Sequence, residues 1–266
     1  MINNKNLLKD ELFSNKPAVD WEGEVALITG ATSGIGHEIT KILAKAKLKV
    51  FITGRNKQKL ESLKKEISSF GGSVECQQTD LRKEEEIDFL YKKIRQTWGG
   101  VRVLVNNAGL GYKIGLIEPN LEKWREMLET NVLAPTICAQ KAISDMRKNG
   151  DRGHVFNLCS MSGHRVPLSS GMYSATKFAI QSLTEGLRQE LRSIKSKIRV
   201  SQLSPGFVDT PFLPNYFGGQ EESDKALNQL TALEPIDVAR MVYTILIQPE
   251  HMQIHDILMR PTHQLS

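Results

Sequence analysis

Residues 25–36 read Val25-Ala26-Leu27-Ile28-Thr29-Gly30-Ala31-Thr32-Ser33-Gly34-Ile35-Gly36. Four apolar residues closed by a threonine fit a short strand buried on both faces, and the stretch that follows, Gly36–Ala46, repeats apolar residues at helical spacing. Three glycines stand between the two patterns. Glycine allows a tight turn and a close backbone approach, and a helix starting there presents unpaired N–H groups suited to a pyrophosphate. The spacing is Gly30-x-x-x-Gly34-x-Gly36, a departure from the commoner Gly-x-Gly-x-x-Gly fingerprint. Taken alone, the same glycines would also serve a plain strand-to-helix turn.

Outward from this turn the pattern repeats. Candidate strands are Val25–Thr29, Lys49–Thr53, Ser73–Thr79, Val101–Asn106, His154–Cys159, Ile198–Ser204 and Ile254–Met259. Helical patterns fall at Gly36–Ala46, Lys57–Phe70, Lys83–Trp98, Leu121–Lys148, Ser174–Ile194 and Pro235–Ile247. Short Val/Ile/Leu runs alternating with crossover helices predict an α/β fold: a Rossmann-like doubly wound parallel sheet of about seven strands with helices on both faces. Ligands of such sheets bind at the carboxyl ends of the strands. The segment Pro205–Thr231, rich in Phe, Pro, Gly and Tyr, reads as one long irregular loop of the functional kind.

The chain has 266 residues with 35 Lys+Arg against 30 Asp+Glu, a net charge of +5, and 40% hydrophobic residues. That suits one catalytic-size domain over residues 21–266, preceded by an arm, residues 1–20, read as mobile, with one or two amphipathic turns through Leu7, Leu8, Glu11 and Leu12 as the competing reading. Three cysteines (Cys76, Cys138, Cys159) without paired spacing fit a reducing compartment, and no signal peptide or bilayer-length apolar stretch is visible, so a cytoplasmic location is expected. The Lys-rich runs Lys41–Lys49 and Lys57–Lys65 alternate with Leu, Ile and Ala, which favours solvated helix faces over a nucleic-acid surface. None of the six histidines has metal-ligand spacing.

The end of the second strand reads Thr53-Gly54-Arg55-Asn56, with no carboxylate to select the free ribose 2′-hydroxyl of NAD. Arg55 can pair with a 2′-phosphate while Ser33 donates from the glycine turn, so the expected cofactor is NADP(H), with Thr32, Ile35 and Asn56 beside it. The competing reading makes Arg55 a surface arginine before a helix. Asp80 and Leu81 close the third strand, where a carboxylate can accept from the adenine amino group; Asp80 can equally cap a helix. Asn106-Asn107-Ala108-Gly109 closes the fourth, where Asn side chains can tie strand ends together and Ala108 and Gly109 leave room for a ribose, unless the run is an ordinary turn.

Tyr173 and Lys177 are one helical turn apart, which puts both on one face. A nearby ammonium favours the phenolate and would make Tyr173 a usable proton donor and acceptor, with Ser160 at the fifth strand's end hydrogen-bonding a carbonyl or alcohol oxygen. A Tyr–Lys pair at this spacing also occurs on plain helix surfaces. Gly30-x-x-x-Gly34-x-Gly36, Asn106-Asn107-Ala108-Gly109, Ser160, Tyr173-x-x-x-Lys177 and Pro205-Gly206 resemble, in order and spacing, the short-chain dehydrogenase/reductase family over about Val25–Met259. The resemblance implies that Asn131 completes a tetrad by holding a water behind Lys177. It further implies Tyr173 as acid/base, Lys177 on the nicotinamide ribose, and Pro205, Gly206, Val208 and Thr210 around the nicotinamide. Ser160-Met161-Ser162-Gly163-His164-Arg165 and Leu258-Met259-Arg260-Pro261-Thr262 are similar to an NADP-dependent subgroup with steroid and retinoid-type reductases and insect farnesol dehydrogenases.

These residues together imply hydride transfer between NADP(H) and an alcohol or ketone bound at Ser160 and Tyr173. The apolar segments Leu110-Gly111-Tyr112, Met161, Leu168, Met172 and Phe207 through Phe217 favour an apolar substrate. Small 3-hydroxy acids, with Arg165 as anchor, and a noncatalytic NADP-binding regulator are the alternatives. Cys159, with no placed base, reads as a buried small residue rather than a nucleophile. Family likeness and the narrow face Phe178, Ser182, Gly186, Glu190 imply a homodimer or homotetramer.

Overall fold

The computed structural model describes residues 19–117, 120–227 and 231–264. The expected amphipathic turns through Leu7 and Leu12 lie outside the described residues. Seven strands, β1 (Val25–Thr29), β2 (Lys49–Gly54), β3 (Val74–Gln78), β4 (Val103–Asn106), β5 (His154–Leu158), β6 (Arg199–Pro205) and β7 (Asp256–Met259), form one sheet in the order β3-β2-β1-β4-β5-β6-β7. Every neighbouring pair is parallel.

The pleat sorts each strand's side chains between two cores. Ala26, Ile28, Val50, Ile52, Val103 and Val105 face one way, against helices α1 (Gly34–Lys45) and α2 (Lys57–Ser69) and the last helix, Pro235–Leu246. Val25, Leu27, Phe51, Leu104 and Val155 face the other, against α3 (Glu84–Trp98) and the helix Ala134–Lys148. Burial of β1 on both faces is why its residues run apolar without alternation. Each fully buried Leu or Ile contributes about 1.5–3 kcal/mol. The chain leaves β1 toward β2 and β3, then returns to pair β4 on β1's other side, and that reversal opens a crevice above the strand ends.

Two expected elements differ. The helix read as Leu121–Lys148 is α4 (Leu121–Leu128) and α5 (Ala134–Lys148) joined by a π-turn, Glu129–Leu133, in which Ala134 N–H reaches Glu129 O. Pro135 has no N–H to return to Asn131 and its ring crowds that carbonyl, so the wider turn absorbs it. The segment read as one irregular loop contains α7 (Phe212–Phe217) and α8 (Gln220–Leu227), which follow α6 (Gly171–Ser193) and precede α9 (Pro235–Leu246). Among the described residues no helix is long and apolar enough to cross a membrane.

Candidate active site

The glycine turn is welded to the end of β4. Gly30 has φ +64, and a Cβ there would stand 2.8 Å from Ala108 Cα. A Cβ at Gly36 would stand 2.4 Å from Asn107 Nδ2. That nitrogen donates to Thr29 O (2.8 Å) and Gly30 O (3.1 Å), while Asn107 and Ala108 N–H both donate to Thr29 Oγ1 at 3.0 Å. Asn106 Nδ2 reaches Asn157 on β5 at 2.9 Å. The asparagines therefore stitch strand ends, as the sequence suggested. Gly34 abuts Thr210, which brings the segment after β6 onto the same turn.

Above these ends runs a cleft of about 970 Å³, and its lining follows the strand order. Leu81 and Asp80 come after β3, Arg55 and Asn56 after β2, and Gly30, Thr32, Ser33, Gly34 and Ile35 after β1. Asn107, Ala108 and Gly109 follow β4, Ser160 follows β5, and Pro205, Gly206, Val208 and Thr210 follow β6. Tyr173 and Lys177 on α6 complete it, whereas Gly36 and Asn131 stand behind the wall. A dinucleotide fits: Gly34 and Ile35 open α1 at the cleft, the Ser33 hydroxyl makes no capping bond, and side chains at Gly30 or Gly36 would collide with backbone or Asn107.

At the β2–β3 end of the cleft, Arg55 is exposed and its guanidinium stands 3.7 Å from Glu126. Asn56 spends its side chain on Lys59 N–H, capping α2. Asp80 caps no helix, since α3 starts from Lys83; its carboxylate accepts from Arg82, a bond that holds it below the usual carboxylate range. Arg82 also donates to Glu126 (3.1 Å), and Tyr112 donates to the other oxygen of that carboxylate (2.6 Å). Burial and Glu126 push the Tyr112 phenol up to about 12. No local spacing signals the Arg82–Glu126 pair, which joins residues 44 apart.

At the other end, Ser160 Oγ accepts from Ser162 N–H (3.1 Å) and caps the short turn Met161–Gly163. Tyr173 and Lys177 are both buried, the ammonium 5.8 Å from the phenol ring centroid and donating to Leu158 O at 2.9 Å. The expectation that the ammonium lowers the Tyr173 pKa is not met in this arrangement. Burial raises it well above the usual phenol value, the Ser160 hydrogen bond opposing, so the phenol is protonated at neutral pH. Burial lowers Lys177 in turn. Asn131, set in the π-turn, accepts from Leu110 N–H (2.9 Å) and donates to Leu110 O (2.7 Å) and Thr176 Oγ1 (3.1 Å). The Cys159 thiol donates to Lys177 O and is pushed up by burial, which fits the inert reading.

Beside Tyr173 lies an aromatic wall: Phe212 and Tyr216 have ring centroids 5.8 and 5.3 Å from its own, and Tyr216 is 5.0 Å from Phe217. Gly111 lets the loop after β4 pack onto Tyr173 and Phe212. Lys113 N–H donates to Tyr216 O (2.8 Å), tying that loop to α7. Gln264 was not foreseen either. It lines the cleft and accepts from Phe207 N–H at 3.0 Å, from a position just past the stretch Leu258–Thr262.

A doubly wound parallel sheet with this turn at its point of reversal is a dinucleotide-binding architecture. A family model described as short chain dehydrogenase matches residues 24–220, and the chain belongs to that family. It is 42% identical over 252 residues to human dehydrogenase/reductase SDR family member 11, across 92% of this chain and 97% of the relative. Among solved structures, the closed form of serine dehydrogenase complexed with NADP+ superposes with a TM-score of 0.85 at 29% identity, across 91% of this chain and 96% of that one. A short-chain dehydrogenase/reductase from Burkholderia phymatum in complex with NAD gives 0.82 at 25% identity, across 90% of each chain.

Proposed function

We propose that the protein is an NADP(H)-dependent oxidoreductase that interconverts an alcohol and a ketone on a substrate with a substantial apolar body. One observation carries the reading: Ser160, Tyr173 and Lys177 line the same cleft as the glycine turn. The N-terminus of α1, with Gly30, Thr32, Gly34 and Ile35, would hold the pyrophosphate. Arg55 and Ser33 would take the 2′-phosphate, since Thr53-Gly54-Arg55-Asn56 offers no carboxylate to repel it. Asp80, Leu81, Asn107, Ala108 and Gly109 would surround the adenosine and ribose, and Pro205, Gly206, Val208 and Thr210 the nicotinamide. When bound, the nicotinamide supplies or accepts the hydride, chemistry no side chain performs.

Ser160 Oγ holds the substrate oxygen by a hydrogen bond. Tyr173 Oη gives that oxygen a proton during reduction and takes it back during oxidation. Lys177, whose ammonium donates to Leu158 O, would hold the nicotinamide ribose hydroxyls and set a positive charge near the phenol, and Asn131 fixes the Leu110 backbone beside it. The rings of Phe212, Tyr216 and Phe217 cover the apolar body. The exposed face of α6, with Phe178, Ser182, Gly186 and Glu190, is the surface through which two or four copies associate. Three buried free thiols suit the cytoplasm.

The test follows NADPH oxidation spectroscopically against a panel of ketones and aldehydes of rising chain length. Tyr173→Phe should lower turnover by roughly 10²–10⁴-fold while NADPH still binds. Half-retained activity would sink the assignment, and silence of the native protein on every carbonyl would leave a noncatalytic NADP-binding protein.

A further inference from the structure

Among the described residues seven cations line the cleft: Arg55, Lys57, Lys59, Arg82, Lys113, Arg165 and Lys177, with Lys57 and Lys59 exposed to solvent. The other two arginines have carboxylates, Arg55 beside Glu126 and Arg82 on both Asp80 and Glu126. Lys177 donates to Leu158 O, and Lys113 lies over the Phe217 ring at 5.3 Å. Arg165 differs. Its Nε is buried without a hydrogen-bond partner, and among the described residues no carboxylate pairs with its guanidinium. The charge it does feel is Arg260, of like sign, which with burial pushes the Arg165 pKa down.

A guanidinium on a cleft wall with no carboxylate partner is a ready counter-charge for an incoming anion. The segment carrying Arg165 is also fixed. It starts at Ser160 and ends at α6, which carries Tyr173. The preceding His164 is bound through Nε2 to Ser204 Oγ and Asp256 Oδ2, both at 3.0 Å. The following turn is closed by Ser170 N–H on Pro167 O at 3.1 Å. A cation on the fixed segment that links Ser160 to the helix of Tyr173 is carried on a backbone held in place before the ligand arrives.

We infer that the substrate is amphipathic: a ketone, or the corresponding alcohol, whose apolar body lies against Phe212 and Tyr216 and whose carboxylate pairs with Arg165. The inference rests on the alcohol–ketone reading above and deepens it. In the reducing direction the carbonyl carbon gains a hydride, its oxygen gains the Tyr173 proton, NADPH becomes NADP+, and the carboxylate emerges unchanged. A planar guanidinium can grip a carboxylate through two parallel N–H bonds.

The experiment compares a medium-chain oxo-carboxylate, its methyl ester and the methyl ketone of equal length, with the native protein, Arg165→Gln and Arg165→Lys. The native protein should prefer the acid over the ester by about tenfold or more in kcat/KM, the worth of one charge-assisted pair. Arg165→Gln should cost the acid roughly 10–100-fold, mostly in KM, and the uncharged ester far less. Arg165→Lys should recover part of the preference, and NADPH titrated by fluorescence should bind all three proteins alike. Binding of the corresponding hydroxy acid to the NADP+ complex, measured by calorimetry, should weaken in Arg165→Gln in parallel. Turnover of ester and ketone with no preference for the acid overturns the inference alone, as does an equal loss on all three substrates in Arg165→Gln. Turnover of none of them, here or across the wider carbonyl panel, overturns it together with the reading beneath it. Weaker NADPH binding in Arg165→Gln would assign the arginine to the cofactor instead.

Discussion

Replacing Asn131 with alanine removes three hydrogen bonds at once, two to the Leu110 backbone and one to Thr176 Oγ1. Leu110 borders the cleft, so water can reach its freed N–H and C=O, and each lost bond then costs nearer 1 than 3 kcal/mol. The sum is about 2–3 kcal/mol, or roughly 5–10 °C in melting temperature for a domain of this size. The functional loss should be larger. A Cβ on Gly109 would lie 3.4 Å from Asn131 Oδ1 and 3.7 Å from Lys177 Nζ, so the loop that Asn131 holds passes directly beside the ammonium. Once that loop slackens, kcat should fall by tenfold or more, an about 1.4 kcal/mol change in barrier.

Aspartate discriminates between two roles. Thr176 Oγ1 already donates to Tyr173 O and can only accept from residue 131. Asn131→Asp therefore sets a carboxylate oxygen against two acceptors, Thr176 Oγ1 and Leu110 O, and should be at least as damaging as alanine. Calorimetric melting and NADPH-coupled turnover on the same preparations decide the matter. An Asp variant with native melting temperature and activity would refute the bonding argument. An Ala variant that melts like the native protein but is inactive would confine Asn131 to holding water.

Arg55→Ala should weaken NADPH binding on the order of 10–100-fold and leave NADH nearly unchanged; equal loss for both would show that Arg55 does not read the 2′-phosphate. Gly36→Ala puts a methyl 2.4 Å from Asn107 Nδ2, so the strand-end stitch should break and NADPH affinity drop together with stability, whereas native melting and binding would show that the turn can yield. His154 is buried and, because Ser201 Oγ donates to Ile254 O, meets Ser201 as an Nε2–H donor, leaving Nδ1 unpartnered. Burial holds its pKa well below 6.5, so the folded state stays neutral while the unfolded chain takes up a proton. Stability is then full above that value and falls by up to about 1.4 kcal/mol per pH unit below it. Urea midpoints that fall equally steeply with acid in His154→Gln would rule this histidine out as the source.

The parts of the site legible in the sequence were those whose chemistry is local. Gly30, Gly34 and Gly36 announced the turn because only a residue without Cβ fits there, and Asn107 could be read because it sits at the end of an apolar run. Tyr173 and Lys177 announced themselves by helical spacing, and their neighbours by family likeness. The π-turn has its signal in Pro135, which stands inside an otherwise unbroken helical pattern. The segment 212–217 hid its helix behind Pro214, yet a proline in the first turn gives up no intrahelical bond, and Phe212 and Tyr216 stack at one-turn spacing.

Spacing could not reveal the electrostatic frame around the cleft. Glu126 on α4 collects Arg82 from the segment after β3, Arg55 from the segment after β2 and Tyr112 from the segment after β4, a convergence created only by the crossovers. Arg165 was readable as a cation near Ser160, but its lack of a partner is a property of the folded surroundings. The two arginine environments then have different consequences. Glu126 must release Arg55 if that arginine is to meet a 2′-phosphate, so cofactor binding there is an exchange of one anion for another. At Arg165 no carboxylate of the described residues has to be displaced, and an incoming carboxylate exchanges with water alone. The 2′-phosphate at Arg55 must therefore compete with a protein carboxylate, whereas a substrate carboxylate at Arg165 competes with none among the described residues.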